Sequence, residues 1–265
     1  MIAGLRSARS GDEMAKIFLI NVGANRQHEG EARSPVFPDS SWTYVPFPHR
    51  KGKDGEDFPL SIRPYIRKCD GVKCHLDPDW DCLTYGDSCV EPRGRGLLKA
   101  QTDDILLFWG LLWRIEENDS VFESHERAWC LIGVIRVQHI LTNVEKVSSL
   151  PDDIRRRAAH NSHVRNGAVI DAEGERVFVG DLRHSRRFAK AIDLEVYKDG
   201  GLMQRVVRTA KGEKIQWYKQ PKWYSSTRTC RAILDLSNRD DRNLATFLAG
   251  RIEKKNNGFS LIDGL

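Results

Sequence analysis

Two apolar runs dominate the pattern of the chain, Ile105–Ile115 and Trp129–Ile140, joined by a charged segment from Glu116 to Arg127. Both runs are rich in Val, Ile, Leu and aromatics and are nearly continuous, which predicts a hairpin in the middle of a sheet covered on both faces or closed on itself. Two buried helices are the competing assignment. Gly110, Gly133, Val134, Ile135 and Val137 within the runs speak for strands instead.

Around this hairpin the pattern predicts further elements in order. Ile17–Val22 reads as a buried first strand released by Gly23 and Asn25, and Pro35, Pro38, Pro46 and Pro48 exclude helix from the loop that follows, leaving a short strand at Trp42–Val45. Asn143 to His160 reads as helical with an interruption at Pro151, and ERVFVGD (175–181) as a strand. SRRFAKAI reads as a short basic helix capped by Ser185, RTCRAILDL as a strand, and the segment from Asn238 as a terminal helix capped near Ser237 or Asn238, with Leu244, Phe247, Leu248 and Ile252 on its buried stripe. Residues 1–15 show no periodicity and are expected to be a disordered or misassigned leader. Residues 16–265 show no linker or repeat and are expected to form one domain.

Composition narrows the classes. A chain of 265 residues with 40% hydrophobic residues can bury a core, and no run reaches the eighteen or more apolar residues of a membrane span, so a cytoplasmic protein is expected. The six cysteines do not make a disulfide framework. The net charge of +5 is unevenly spread: residues 151–265 carry 23 basic against 15 acidic side chains, net +8, and residues 1–150 carry 19 against 22, net −3. A basic C-terminal part suits contact with phosphates, although a solvated surface has the same composition.

The chemistry concentrates in CDGVKCHLDPDWDCLTYGD, residues 69–87. His75, Asp77, Asp79 and Asp81 alternate, and Pro78 forbids a regular helix, so an extended segment would set them on one side. Such a group needs compensation from a divalent metal at His75, Asp77 and Asp79, from a cationic substrate, or from Arg33, Arg93 and Arg95. The plain alternative is an Asp-Pro-Asp turn bonded to its own backbone. A structural zinc on Cys69, Cys74, Cys82 and Cys89, spaced outside the usual paired pattern, is the weaker metal option. Tyr85 and Asp87 flank Gly86, whose freedom would aim both at a common point, Asp87 as acceptor or general base and Tyr85 as stacking or donating group.

Binding candidates lie elsewhere. Trp109, beside Gly110, would wall a base pocket, while Trp113 and Trp129 read as core. Ser185, Arg186 and Arg187 form the best local phosphate site at an expected turn-to-helix junction, ahead of Arg155–Arg157, which reads as a solvated face. Asp181 follows Gly180 in what also reads as a tight turn. Trp223, with Trp217, Tyr218 and Tyr224 among lysines, suits a nucleic-acid surface.

The hairpin resembles the core of PUA-like domains, with a carboxylate pair, here Asp103-Asp104, an apolar strand ending in an aromatic and Gly, a loop, and Leu-Ile-Gly-Val-Ile-Arg-Val. That resemblance, shared with EVE, ASCH and YTH relatives, implies an α+β fold with a small β-barrel holding a modified or extruded base. More extensively, FLINVGAN, RSPVFPDSSWTYVPFP, HLDPDWDCLTYGD, RGLLKAQTDDILLFWGLL, WCLIGVIRVQHIL and VFVGDLRHSRRFAKAI, from Lys16 to Tyr224, resemble in that order the third nucleotide modification associated domain family. The resemblance implies a nucleic-acid or nucleotide partner, protein partners of a modification system, and site roles at Asn161 and His163; Asn25, Arg33 and Ser34 are further candidates for nucleic-acid binding.

Signatures of nucleophile elbows, Rossmann and Walker phosphate loops and zinc deaminases are absent. The expectation is a protein that recognises or processes a modified nucleotide in DNA or RNA. An enzyme acting on the base through Asp and His is the first alternative, and a non-catalytic subunit of a modification or defence complex the second.

Overall fold

In the computed structural model the described residues are 14–25, 28, 30–49, 55–67, 72–116, 119–142, 150–165, 174–196, 201–206 and 230–263. The expected leader up to residue 13, Cys69, and the aromatic segment with Trp223 lie outside them. Ten strands are described: β1 (Lys16–Asn21), β2 (Ser34–Val36), β3 (Phe47–His49), β4 (Lys73–His75), β5 (Thr84–Ser88), β6 (Ile105–Arg114), β7 (Arg127–Leu141), β8 (Glu175–Gly180), β9 (Arg186–Asp193) and β10 (Arg231–Asp235). Helices α1 (Asp152–His160), α2 (Ser162–Arg165), α3 (Leu202–Val206) and α4 (Arg239–Lys255) complete an α+β fold.

The predicted hairpin is its centre. Strands β6 and β7 pair antiparallel from Ile105↔Arg136 to Trp113↔Arg127, and the sheet runs β10-β1-β6-β7-β8-β5, with β2 on the far half of β6 and β9 on the near half of β7. Strand β7 changes partner from β9 to β8 between Val134 and Val137, with a bulge in each pairing, at Leu131/Gly133 and at Val137/His139. The first and last strands of this path do not pair, so the expected closed barrel is not found among the described residues. No helix among them is long and apolar enough to cross a membrane.

Strand parity explains why the central runs are apolar throughout. Ile105, Leu107, Trp109, Leu111 and Trp113 face one core with Leu131, Leu248 and Ile252 of α4. Leu106, Phe108 and Leu112 face a second core with Phe18, Tyr44, Tyr85 and Phe178. Both faces are covered, so neither parity can be polar. Helix α4 begins at Asn238, whose side chain accepts from the Asp240 and Asp241 N–H groups, and it buries Ala245, Leu248, Ala249 and Ile252. Phe247, expected on that stripe, is partly exposed.

Two local assignments change. SRRFAKAI is not a helix: it is β9, paired to β7 through Gly133↔Arg187 and Cys130↔Asp193. Helical spacing and strand alternation both fit so short a segment, and pairing with an already formed central strand decides. Trp42–Val45 contributes only a bridge from Trp42 to Val36, and the strand that follows is Phe47–His49.

Candidate functional site

Asp77 is the hub of a buried polar group on the second-core side of the sheet. The loop that carries it is folded back on itself by the Asp79–Thr84 backbone pair, and its Trp80 lies between Tyr44 and Phe108. Trp80 also rests directly on Gly133, where a Cβ would stand 2.3 Å from the indole. From outside, Arg157 of α1 donates to the Cys82, Leu83 and Gly180 carbonyls, so it is a tether and not part of a solvated face. Tyr44 donates to the Asp77 carbonyl at 2.8 Å. The Gly86 N–H is within hydrogen-bond distance of both Asp77 carboxylate oxygens, at 3.0 and 2.8 Å.

Two imidazoles converge on the same carboxylate. His75 Nε2 lies 3.6 Å and His163 Nε2 3.3 Å from Asp77 Oδ2, with the two rings edge to face at 5.1 Å. His163 is held from behind: its Nδ1 is 3.1 Å from Glu175 Oε2, and its backbone N–H donates to Asn161, whose amide in turn donates to Thr84. Gly86 is small because His163 lies against it; a Cβ there would be 2.3 Å from the His163 ring. The Asp77 side chain is 2% exposed, His75 18% and His163 15%, so the carboxylate is sealed while both rings keep an edge at the surface.

Burial alone would push the Asp77 carboxyl up, but His163 and His75 hold it below the usual carboxylate range. Burial would likewise push the His163 imidazole down, yet Asp77 and Glu175 together raise it to about 10. Glu175 is itself held low by His163. His75, Asp77 and His163 form the one group of three metal-capable side chains found among the described residues, with one ligand atom from each all within 4.8 Å.

Of the expected site residues, the structure brings together His75, Asp77, Asn161 and His163. Asp79 turns away: its Oδ1 accepts from the Asp81 and Cys82 N–H groups, the self-bonded turn weighed as the alternative. Tyr85 and Asp87 do meet, hydroxyl to carboxylate, but strand alternation points them to the opposite side of β5 from Gly86's neighbours. Beside them lie the Cys230 thiol, 3.4 Å from Asp87 Oδ2, and Arg93, whose Nε is 3.9 Å away and whose Nη2 donates to Asn21. Burial first, and then Asp87, raise the Tyr85 hydroxyl well above its ordinary value and the Cys230 thiol to about 12.

The remaining candidates are placed elsewhere. Trp109 is 1% exposed in the other core, packed on Trp129 at 4.7 Å, so it presents no face to a base. Ser185 is buried against the Arg136 backbone; Arg186 lies over Phe259, and Arg187 over Trp42 with a bond to its carbonyl, so no helix N-terminus gathers these three around an anion. Asp181 binds the Arg183 and His184 N–H groups in a turn. Arg33 clamps the Val121 and Ser124 carbonyls and covers Trp113, and Ser34 accepts from Val45. The Asn25 N–H reaches His28, which stacks on Phe47, the ring beside His75.

Cys74 and Cys89 bury their thiols against carbonyls, and with Cys82 they join no metal-capable group among the described residues. Glu175 was not anticipated, since its only local signal is a place at the start of an apolar strand; β5 pairing, Ser88↔Glu175, brings it to His163.

The chain matches no curated protein and no solved structure. The model of the family described as nucleotide modification associated domain 3 matches residues 16–244, spanning the central sheet and every residue of the group around Asp77, and the chain belongs to that family.

Proposed function

We propose that the chain processes a modified nucleotide, and that the group of His75, Asp77, His163 and Glu175 is its reacting centre. The observation that carries this reading is a sealed carboxylate on which two half-buried imidazoles converge, one of them oriented by a second carboxylate. Ionisable groups packed this closely in a water-poor site perturb one another strongly, as reacting centres require and simple recognition does not. Membership of a family associated with nucleotide modification supports a nucleotide as the substrate, and the basic part of the chain, net +8 over residues 151–265, suits a phosphate-bearing partner.

The test is a mass-spectrometric census of nucleosides in DNA and RNA from cells with the gene intact, deleted, or carrying Asp77→Asn, followed by incubation of purified protein with the nucleic acid that changed. A nucleoside that depends on the gene and on Asp77, and that the purified protein consumes or makes, is the expected outcome. An unchanged census, with wild type and Asp77→Asn binding the same modified nucleosides equally, would favour a reader and defeat the enzyme reading.

A further inference from the structure

Asp77 Oδ2 has three nitrogen atoms around it: Gly86 N at 2.8 Å, His163 Nε2 at 3.3 Å and His75 Nε2 at 3.6 Å. The Gly86 N–H is a hydrogen bond, shared with Oδ1, whereas both imidazole nitrogens stand beyond the usual range of about 2.7–3.2 Å for an N–H···O bond. Contacts of this length are accounted for if the two imidazoles present lone pairs instead, to an ion lying between them and the carboxylate. We propose that His75 Nε2, Asp77 Oδ2 and His163 Nε2 bind a divalent first-row transition ion of the zinc type, with a position left open toward solvent.

The spacings support that ion class. Four-coordinate zinc has ligand bonds of about 2.0–2.1 Å, which set its ligand atoms roughly 3.3–3.4 Å apart, whereas octahedral bonds of similar length set them at about 3.0 Å. The 3.3 Å separation of His163 from the carboxylate matches the tetrahedral edge, and the 3.6 Å separation of His75 exceeds it by about 0.2 Å, further still from the octahedral value. Two imidazoles against one carboxylate also disfavour magnesium and calcium, which take oxygen.

The surroundings are those of a ligand set. A metal-bound histidine commonly gives its other ring N–H to a carboxylate, here Glu175 at 3.1 Å from His163 Nδ1, and a metal-bound carboxylate is itself hydrogen-bonded, here by Gly86. Asn161 fixes the backbone of His163, and Gly86 lets its ring come close. Three protein ligands and a solvent-facing edge leave room for a bound water, which zinc acidifies toward neutral pH. The inference rests on the reading of this group as the reacting centre, to which it assigns a cofactor.

The full-length protein is stripped with chelator and desalted. It is then titrated separately with zinc, cobalt(II), manganese(II), iron(II) under anaerobic conditions, and magnesium, and bound metal per chain, the visible absorption of cobalt and thermal stability are read. Expected are one zinc or cobalt per chain, a tetrahedral cobalt spectrum, an upward shift in Tm, and no competition from millimolar magnesium. His75→Gln and His163→Gln should each weaken binding at least 100-fold. Glu175→Gln should weaken it about 10–100-fold, and Cys82→Ser should leave it unchanged, which sets aside thiol binding. Melting in chelator checks that each variant is folded.

Wild type that takes up no more ion than His75→Gln would overturn the proposal, as would binding lost only in Cys82→Ser. An octahedral iron or manganese site with no zinc bound would overturn the zinc-type assignment. Metal-free protein that still turns over a nucleotide, with no ion bound on reloading, removes the ion and keeps the reacting centre. A bound ion that follows the ligand variants, with no turnover of any nucleoside in the census, keeps the ion and removes the enzyme reading.

Discussion

Gly86→Ala isolates the site from the fold. The added Cβ would lie 2.3 Å from His163 Cδ2, 2.7 Å from Cγ and 3.0 Å from Asn161 Oδ1, where ordinary contact begins near 3.4 Å. The ring must therefore retreat by about 1 Å, and it cannot swing freely, because Asn161 holds its backbone and Glu175 its Nδ1. Overpacking of this kind costs about 1–3 kcal/mol, offset by about 0.5–1 kcal/mol because alanine suits a strand better than glycine. The net loss is roughly 0–2.5 kcal/mol, a fall in Tm of at most about 10 °C for a chain of this size.

The consequence for chemistry is larger, since a displacement of 1 Å at a reacting centre costs on the order of 100-fold. Gly86→Ala should therefore stay folded, melting within about 10 °C of wild type, while losing about 100-fold in metal affinity and in nucleotide turnover. Gly250→Ala is the matched control: nothing lies within 4 Å of its Cβ position on the exposed side of α4, so it should gain up to about 1 kcal/mol and leave both readouts alone. Gly86→Ala with wild-type metal affinity and turnover would refute the argument that close packing of His163 on β5 sets the geometry.

Asp79→Ala should lower stability by about 1 kcal/mol through the loss of its two backbone bonds, read by urea melts, and should affect turnover far less than Asp77→Asn does. Arg157→Ala removes the guanidinium from the Cys82 and Gly180 carbonyls, while the Leu83 carbonyl keeps the Gly180 N–H, and should cost about 2–4 kcal/mol, with faster amide exchange in residues 79–84. Trp109→Ala should cost about 3–5 kcal/mol and leave the nucleic-acid affinity of the folded fraction unchanged, as a core residue requires. For Asp181, burial raises the carboxyl, but the His184 and Arg183 contacts lower it further. Its stabilisation is present above the unfolded carboxylate value near 3.9 and is lost as pH falls through the lower folded value. The stability gap between wild type and Asp181→Ala should accordingly shrink below about pH 4.

What the sequence by itself determined is the centre of the fold: a near-continuous apolar strand must be covered on both faces, and this made the β6–β7 hairpin, the strands Lys16–Asn21 and Glu175–Gly180, and the helix capped by Asn238 legible. It also marked His75 and Asp77, because alternate positions of an extended segment lie on one side. Tertiary structure decided the rest. Whether SRRFAKAI is helix or strand depends on an open edge of β7, and whether Trp109 faces a ligand or a core depends on a parity set by pairing with β1. The third member of the site changed for the same reason. Asp79 found backbone donors two and three residues away, while His163, 86 positions beyond Asp77, was carried to it by α2 and by the pairing of β5 with β8. Local patterns report what each segment can do, but contacts so distant in sequence arise only when the sheet assembles and gives each side chain its neighbours.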